Sequence, residues 1–495
     1  VTPVDTSGID SELISAIVIW VVISVDIVIR VLAITFIPMN RRPATAMAWL
    51  LAIFLIPYIG ILLFLLIGRT KLPKKRRLKQ DKVSEMIRDS TLNTDSVIDN
   101  PGGPDWLDNM AKLNRNLGAM PLLGGNKAKL YPDYHEGIAA MSAAVDSASK
   151  YVHVEFYILS LDPTSKVFFD ALAAASARGV IVRVLLDHIA SIRVPRYKQT
   201  VKFLTAAGID WQLMLPVQPL RGKYQRPDLR NHRKLLVIDG RTAFTGSQNM
   251  IDSSYNKKSN IKRGLHWKDL MVRFDGPVVA GVNALFLTDW YTERNELLIS
   301  EDEPLGTGIE RGELEAQVVP SGPGFDGENN LRLFNALLYS AQEQIIITSP
   351  YFVPDDSMLY AITTAAQRGV HVELFVSEIG DQFMVFHAQR SYYEALLRAG
   401  VVIWLYQAPT VLHSKHFSID DDVAVIGSSN MDMRSFTLNL EISVMVQGRS
   451  FVEDMRAVEA SYRANSRQLL LDEWQKRPLH TVVLDNAMRL TAGLQ

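Results

Sequence analysis

His232-Arg233-Lys234-Leu235-Leu236-Val237-Ile238-Asp239, followed by Gly246-Ser247-Gln248-Asn249, decides the fold because the chain says it twice. The second copy is His413-Ser414-Lys415, then Asp420, then Gly427-Ser428-Ser429-Asn430. In both copies the lysine lies two residues after the histidine and the aspartate five after the lysine. A spacing of two places His and Lys on one face of a strand. Residues 235–238 are continuously apolar, as in a strand buried on both sides. Asp239-Gly240 and Asp420-Asp421-Asp422 read as turns that send the next strand, with its Ser and Asn, back to the same end.

Working outward, the surroundings repeat as well. Residues 152–158 and 180–186 read as strands with a helix at 164–178 between them. Residues 345–348, 356–368 and 370–376 replay that order as strand, helix and strand. Ala177-Arg178-Gly179-Val180 matches Gln367-Arg368-Gly369-Val370, and Leu204-Thr205-Ala206-Ala207-Gly208 is echoed by Leu396-Leu397-Arg398-Ala399-Gly400. Each glycine stands where a helix ends and an apolar strand begins. The pattern predicts an α/β fold of two similar lobes, at 118–300 and 313–495, with a Pro- and Gly-rich seam at 301–312.

The first 70 residues are different. Two apolar stretches, about 13–37 and 44–67, each reach the roughly 20 residues that span a bilayer. A short connector, 38–43, makes them a transmembrane hairpin. The acidic start (Asp5, Asp10, Glu12) is unlike a cleavable signal. Asp26 and Arg30 lie four apart in the first stretch and read as a self-neutralised pair. Pro57, Gly60 and Pro73 fit a kinked second span and its exit. Lys71, Lys74, Lys75, Arg76, Arg77 and Lys79 outnumber Arg41 and Arg42 at the hairpin tip, which puts the following domain in the cytoplasm. Residues 71–117, with Asn100-Pro101-Gly102-Gly103-Pro104, read as a basic, polar linker.

The 495 residues carry a net charge of −1, 48% apolar residues, ten histidines and no cysteine. Thiol nucleophiles, disulfides and Cys-based zinc sites are excluded, and there is no global pull toward nucleic acid. Two imidazoles, two ammonium groups, hydroxyls and amides suit phosphoryl chemistry. One histidine attacks phosphorus, the other protonates the leaving oxygen, and the lysines and amides stabilise the non-bridging oxygens.

These residues resemble the HxKx4D signature of the phospholipase D superfamily, present twice and intact. The resemblance implies two α/β lobes sharing one active site, a phosphohistidine intermediate, and neither metal nor other cofactor. The signature residues, as a catalytic set, are His232, Lys234, Asp239, His413, Lys415 and Asp420, with the two aspartates in a structural role and His232 as nucleophile by family habit. Asn249 and Asn430 would bind phosphate, with Ser247 and Ser428 in support. Asp269 and Glu441, which follow the two motifs, would orient the histidines.

The likeness extends further. Arg42-Pro43, Ala48-Trp49-Leu50-Leu51, Pro57, Gly60 and Gly68-Arg69 look like the N-terminal hairpin of bacterial cardiolipin synthases. Ser349-Pro350-Tyr351-Phe352-Val353-Pro354-Asp355 and Asn430-Met431-Asp432-Met433-Arg434-Ser435-Phe436 look like two further stretches of that family. The implied reaction passes a phosphatidyl group from one phosphatidylglycerol to another and releases glycerol, at the cell membrane. The rival readings are a phospholipase D that hydrolyses phospholipid, a membrane-tethered phosphodiesterase or nuclease, and an inactive scaffold; the oligomeric state stays open. His188 and Ala190 depart from the family's usual glycines, and His416 from a small or apolar residue; His416 reads as a packed, hydrogen-bonded bystander. Arg221, Lys223, Arg226, Arg230 and Arg233 before the first tail, and Lys257, Lys258, Lys262 and Arg263 after it, are where anionic headgroups would collect.

Overall fold

The computed structural model describes residues 7–39, 41–68, 71–91, 103–221, 224–298, 312–325 and 327–491, with side chains from residue 13 and without that of Arg221. The seam at 301–311, Lys223, Arg69, the Asn100-Pro101-Gly102 turn and the acidic side chains before residue 13 lie outside the described residues. Two compact units result, Val1–Thr70 and Lys71–Gln495.

In the first unit, helix Ser7–Phe36 includes an apolar stretch, Leu13–Phe36, of 24 residues. At 1.5 Å per residue it spans about 36 Å, enough for a bilayer core. Most of its side chains from Leu13 to Phe36 are exposed, as a lipid-facing helix requires, and Ala33 is buried against Ala46 and Ile53. Arg30 Nε donates to Asp26 Oδ2 at 2.8 Å, so the intramembrane pair forms. The expected second span is not one helix. It breaks at Ile56 into Pro43–Leu55 and Pro57–Ile67. Pro57 has no N–H for the helical ladder, and Ile56 leaves helical geometry at φ −137° and ψ 76°. A Cβ on Gly60 would lie 2.8 Å from Ala52 O and Ile53 Cα, so the glycine lets the two short helices pack backbone to backbone. Among the described residues only Leu13–Phe36 is long and apolar enough to cross a membrane.

The second unit is built on one continuous sheet with the repeat written into its strand order. Strands Leu123–Tyr131 and Leu314–Ser321 pair antiparallel at its middle. Outward on one side run Met271–Asp275, Thr242–Gly246, Lys234–Ile238, Tyr151–Phe156, Ile181–Asp187 and Asp210–Met214; on the other run Asn439–Gln447, Val423–Gly427, His416–Ile419, Gln344–Thr348, His371–Ser377 and Val402–Tyr406, ending at Ser466–Leu469. In each half the motif strand is antiparallel to its neighbours, while the next three strands outward are parallel and joined by helices, and Ser466–Leu469 closes the second half antiparallel. Helices Val278–Arg294 and Arg449–Ala464 cover one face around Val237, Val272, Ile426 and Val444. Tyr134–Asp146 and Lys166–Ala177 cover the other face of the first half, and Asn329–Ser340 and Asp356–Gln367 that of the second. Burial on both faces explains the continuous apolar strands.

The stretch expected to be a linker holds two helices. Lys74–Ser90 buries Val83 and Ile87, and Arg76 reaches Glu293 with two hydrogen bonds of 2.7 and 2.8 Å. Leu107–Gly118 buries Leu107, Ala111, Asn114 and Gly118, a helical stripe. The high polar content hid both, because only one narrow face of each helix is apolar.

Candidate active site

Neither histidine stands inside the motif strand; each is presented just before it by a short strand borrowed by the opposite half. Arg230–Asn231 pairs parallel with Asn439–Leu440, and His232 N donates to Leu440 O at 2.9 Å. Thr410–Leu412 pairs parallel with His266–Lys268, and His413 N donates to Lys268 O at 2.7 Å. The acids follow directly on these partner strands. The pairing is therefore crossed. His232 Nδ1 lies 3.0 Å from both carboxylate oxygens of Glu441, and His413 Nδ1 lies 2.7 Å from Asp269 Oδ1. With the Nδ1 proton held by the carboxylate, Nε2 carries the lone pair that attacks or accepts a proton.

The serines secure the acids. Ser247 Oγ donates to Asp269 Oδ1 at 2.7 Å, and Ser428 Oγ to Glu441 Oε2 at 2.5 Å. Each hydroxyl also accepts a backbone N–H at 3.0 Å, from Leu270 and Ile442 respectively. Their hydroxyls are thus committed to the carboxylates rather than to a phosphate. The glycines before them make this reach available: a Cβ on Gly246 (φ +147°) would lie 2.4 Å from Leu270 O, and one on Gly427 2.2 Å from Ile442 O.

Lys234 and Lys415 are buried, and their ammonium groups donate to His232 O at 2.5 Å and His413 O at 2.6 Å. Burial pushes Lys234 down to about 7, with Glu441 opposing, and Lys415 down to about 8, with Asp269 opposing. Burial also lowers His232 to about 4 and lowers His413, so both imidazoles are neutral at pH 7. Burial alone would raise the two acids, but the histidines and lysines beside them hold both below the usual range. The site is a buried set of two ammonium groups and two carboxylates whose charges balance, the kind of environment that favours an incoming anion.

Asp239 and Asp420 are not at the site. They sit at the far ends of the motif strands in left-handed conformation (φ +51° and +48°). Asp239 accepts the backbone N–H groups of Ser149, Lys150 and Tyr151, and Asp420 those of Gln342, Glu343 and Gln344. Both clamp the start of the neighbouring strand. Asn249 is committed within its own half, donating to Tyr255 OH at 2.8 Å and accepting from Ile158 N at 3.2 Å. Asn430 Oδ1, by contrast, is buried with no hydrogen-bond partner among the described residues.

Several basic residues expected to collect headgroups are spent inside the protein. Arg230 pairs with buried Asp187 at 3.0 Å, Arg233 with Asp289, and Arg226 with Asp228. Lys257, Lys258, Lys262 and Arg263 are exposed. His416 is packed but not hydrogen-bonded: neither ring nitrogen has such a partner among the described residues, and Glu459 stands 3.7 Å away. Burial holds it at about 3, hence neutral.

Two aromatic residues escaped the reading of the motifs. Tyr157 stands edge-on to His232 with ring centroids 4.9 Å apart, and Tyr351 to His413 at 6.3 Å. Both follow the strand beside the motif strand, so the internal repeat was the signal that could have found them.

The duplicated α/β sheet thus brings two crossed His–acid pairs and two buried lysines together, each half supplying one imidazole and the acid that binds the other. A family described as cardiolipin synthase, phospholipase D-like domain, matches residues 141–275 and 334–460, and one described as phospholipase D-nuclease N-terminal matches residues 17–69. Cardiolipin synthase A of Proteus mirabilis is 33% identical over 453 residues, covering 90% of this chain and 92% of its own. That of Pectobacterium carotovorum is 34% identical over 451 residues, covering 89% and 91%. The crystal structure of phosphatidylserine synthase from Haemophilus influenzae superimposes with a TM-score of 0.60 at 14% identity, covering 78% of this chain and 99% of that one, which is a likeness of fold. The chain belongs to the cardiolipin synthase family of phospholipase D-like proteins.

Proposed function

We propose that this chain is a membrane-bound phosphatidyltransferase that joins two phosphatidylglycerols into cardiolipin and glycerol. The crossed His232–Glu441 and His413–Asp269 pairs carry the reading, because they supply two oriented, neutral imidazoles beside two ammonium groups. His232 Nε2 attacks phosphorus of the first lipid, and the bond from phosphorus to the glycerol headgroup oxygen breaks. His413, which takes up a proton at Nε2 as the phosphate anion enters, gives that proton to the departing glycerol oxygen. The headgroup hydroxyl of a second phosphatidylglycerol then loses its proton to His413 and attacks the phosphohistidine. The P–N bond breaks, cardiolipin forms, and His232 is free again.

Lys234 and Lys415 hold the non-bridging oxygens, and the Asn430 side-chain NH2 donates to them beside the lysines. Asn249, bound to Tyr255 and Ile158, shapes the wall instead. The apolar helix Leu13–Phe36 and the N-terminal family match support attachment to the membrane. We take residues 43–67 as membrane-embedded too and the catalytic unit as cytoplasmic, on the basic residues from Lys71 to Lys79. The substrates are phospholipids rather than nucleic acid, in keeping with a net charge of −1.

The test is purified enzyme with phosphatidylglycerol labelled in the headgroup and in the acyl chains. Cardiolipin plus free glycerol is the expected result; phosphatidic acid as the sole lipid product would make the protein a hydrolase. His413→Ala enzyme quenched in SDS at mildly alkaline pH, where a P–N bond survives, should retain acyl label on His232, and label on residue 413 in a His232→Ala enzyme would reverse the two roles.

A further inference from the structure

A small satellite core lies against the catalytic centre, separate from the cores under the sheet. It gathers Ala190 and Val194 from helix His188–Arg193 and its exit, Leu265 and Trp267 beside helix Lys258–Arg263, Val411 before His413, and Ile379. Tyr157, the ring edge-on to His232, packs on it from within. The 378–382 loop leads to helix Phe383–Arg390, and Arg263 holds it by donating to Gly380 O at 3.4 Å. Val217 N donates to His188 Nδ1 at 3.1 Å, which brings the turn Pro219–Arg221 to the same cluster. These segments follow the C-terminal ends of strands Ile181–Asp187, Asp210–Met214 and His371–Ser377, so they share one edge of the sheet with the histidines.

What these segments turn outward is unusual for a water-facing surface. Ile192, Leu220, Ile261, Phe383 and Met384 are all exposed, Ile261 at 60% and Phe383 at 63%. Lys257, Lys258 and Lys262, on or just before the helix that carries Ile261, are also exposed. Large apolar tips interleaved with lysines match an anionic bilayer surface, whose headgroups draw the ammonium groups while the tips enter the acyl boundary. Single exposed apolar residues are ordinary; five on segments tied into one cluster beside the active centre are not.

We propose that the outer surface of this cluster is a docking face for an anionic phospholipid bilayer, holding the cleft at headgroup level so that a substrate phosphate reaches the histidines while its acyl chains stay in the membrane. The proposal rests on the phosphatidyl-transfer reading and deepens it. It separates attachment through the apolar N-terminal helix from presentation of the substrate by the catalytic unit.

The absence of cysteine makes a direct test simple. The full chain carrying Ile261→Cys is labelled with an environment-sensitive fluorophore and reconstituted into vesicles of phosphatidylcholine, with or without phosphatidylglycerol. Ile181→Cys is the control: Ile181 is 53% exposed but begins the strand that ends at Asp187, so it lies at the opposite sheet edge. A blue-shifted emission at 261, larger in the anionic vesicles, with a water-like probe at 181, is expected. A water-like probe at 261 in anionic vesicles overturns the proposal, as does an equal shift at both positions. A shift at 261 that grows with protein concentration in lipid-free detergent would mean a second copy of the chain covers this face, and also overturns it. In an independent arm, Ile261→Asp combined with Phe383→Asp should lower turnover of vesicle phosphatidylglycerol about tenfold. Turnover of monomeric dihexanoyl phosphatidylglycerol in detergent should not change, and equal loss on both substrates counts against docking. A wild-type enzyme inert toward both lipids would strike the transfer reading itself, while the probe still decides on docking.

Discussion

His413 hydrogen-bonds Asp269 at 2.7 Å across 144 positions of sequence, and the two belong to different halves of the repeat. Glu441 and His232 mirror them across 209 positions. Each half supplies one nucleophile-type imidazole and the carboxylate that orients the other half's imidazole. Neither half is therefore a complete site.

The crossing has a direct consequence for mutants. Asp269→Asn should disturb the tautomer of His413 and leave that of His232 in place, and Glu441→Gln should do the reverse. Ring nitrogen chemical shifts of 15N-labelled histidine report this without any need for turnover. Each substitution should lower kcat by up to about 10⁴, the scale seen when an orienting acid is neutralised. Wild-type turnover by Asp269→Asn would remove the carboxylate from the mechanism.

The pH dependence follows from burial. In the proposed reaction Lys234 and Lys415 act as ammonium groups, and burial brings them down to about 7 and about 8. As pH rises through that range they lose their protons, so kcat/KM should fall on the alkaline side. His232 must be neutral to attack, and with its value near 4 the acid limb should appear at about that pH. The apparent values belong to the coupled cluster. A pH–rate profile on dispersed phosphatidylglycerol checks both limbs, and activity still rising through pH 9 would show that neither ammonium group is needed.

Gly246 and Gly427 carry a steric prediction. A methyl group at either position meets a backbone carbonyl oxygen, at 2.4 Å from Leu270 O or 2.2 Å from Ile442 O, and backbone cannot swing aside as a flexible side chain would. Gly246→Ala should displace the segment carrying Asp269, and Gly427→Ala the one carrying Glu441. Each should cost about 1–3 kcal/mol of stability and most of the activity. Thermal melts in detergent with parallel assays measure the two effects; an alanine variant with unchanged melting and rate would show the contact to be soft.

Asp26 and Arg30 bind each other inside the apolar helix. Arg30→Leu should leave a lone carboxylate there, at a cost to insertion of about 2.5–3.5 kcal/mol. The double change Asp26→Leu with Arg30→Leu should restore integration. Carbonate extraction of membranes containing each variant reads the difference, and poor integration of the double variant would point to a further role for the pair.

Much of this was legible in one chain. The doubled His-x-Lys spacing, the apolar motif strands and the helix-ending glycines pointed to duplicated α/β halves, and every one of those residues lies in a short local pattern. The two helices in the expected linker were not legible in the same way. Val83 and Ile87 are too few to outweigh the charges around them, and Arg76 gains its meaning only from Glu293, more than two hundred residues away. The kink of the second apolar stretch was legible in Pro57 and Gly60, but not that it ends one helix and starts another, which depends on how Gly60 lets the backbone of Ala52 approach.

The sequence by itself determined the chemistry present: two imidazoles, two ammonium groups, two acids and no thiol, each at a matched place in a repeat. Tertiary structure decided who serves whom. The serines turned out to hold carboxylates, the motif aspartates to clamp distant strand starts, and the acids to orient the opposite histidine. Strand spacing acts within a few residues, whereas these partnerships arise from parallel pairing of Arg230–Asn231 with Asn439–Leu440 and of Thr410–Leu412 with His266–Lys268, contacts that exist only once the two halves close on each other.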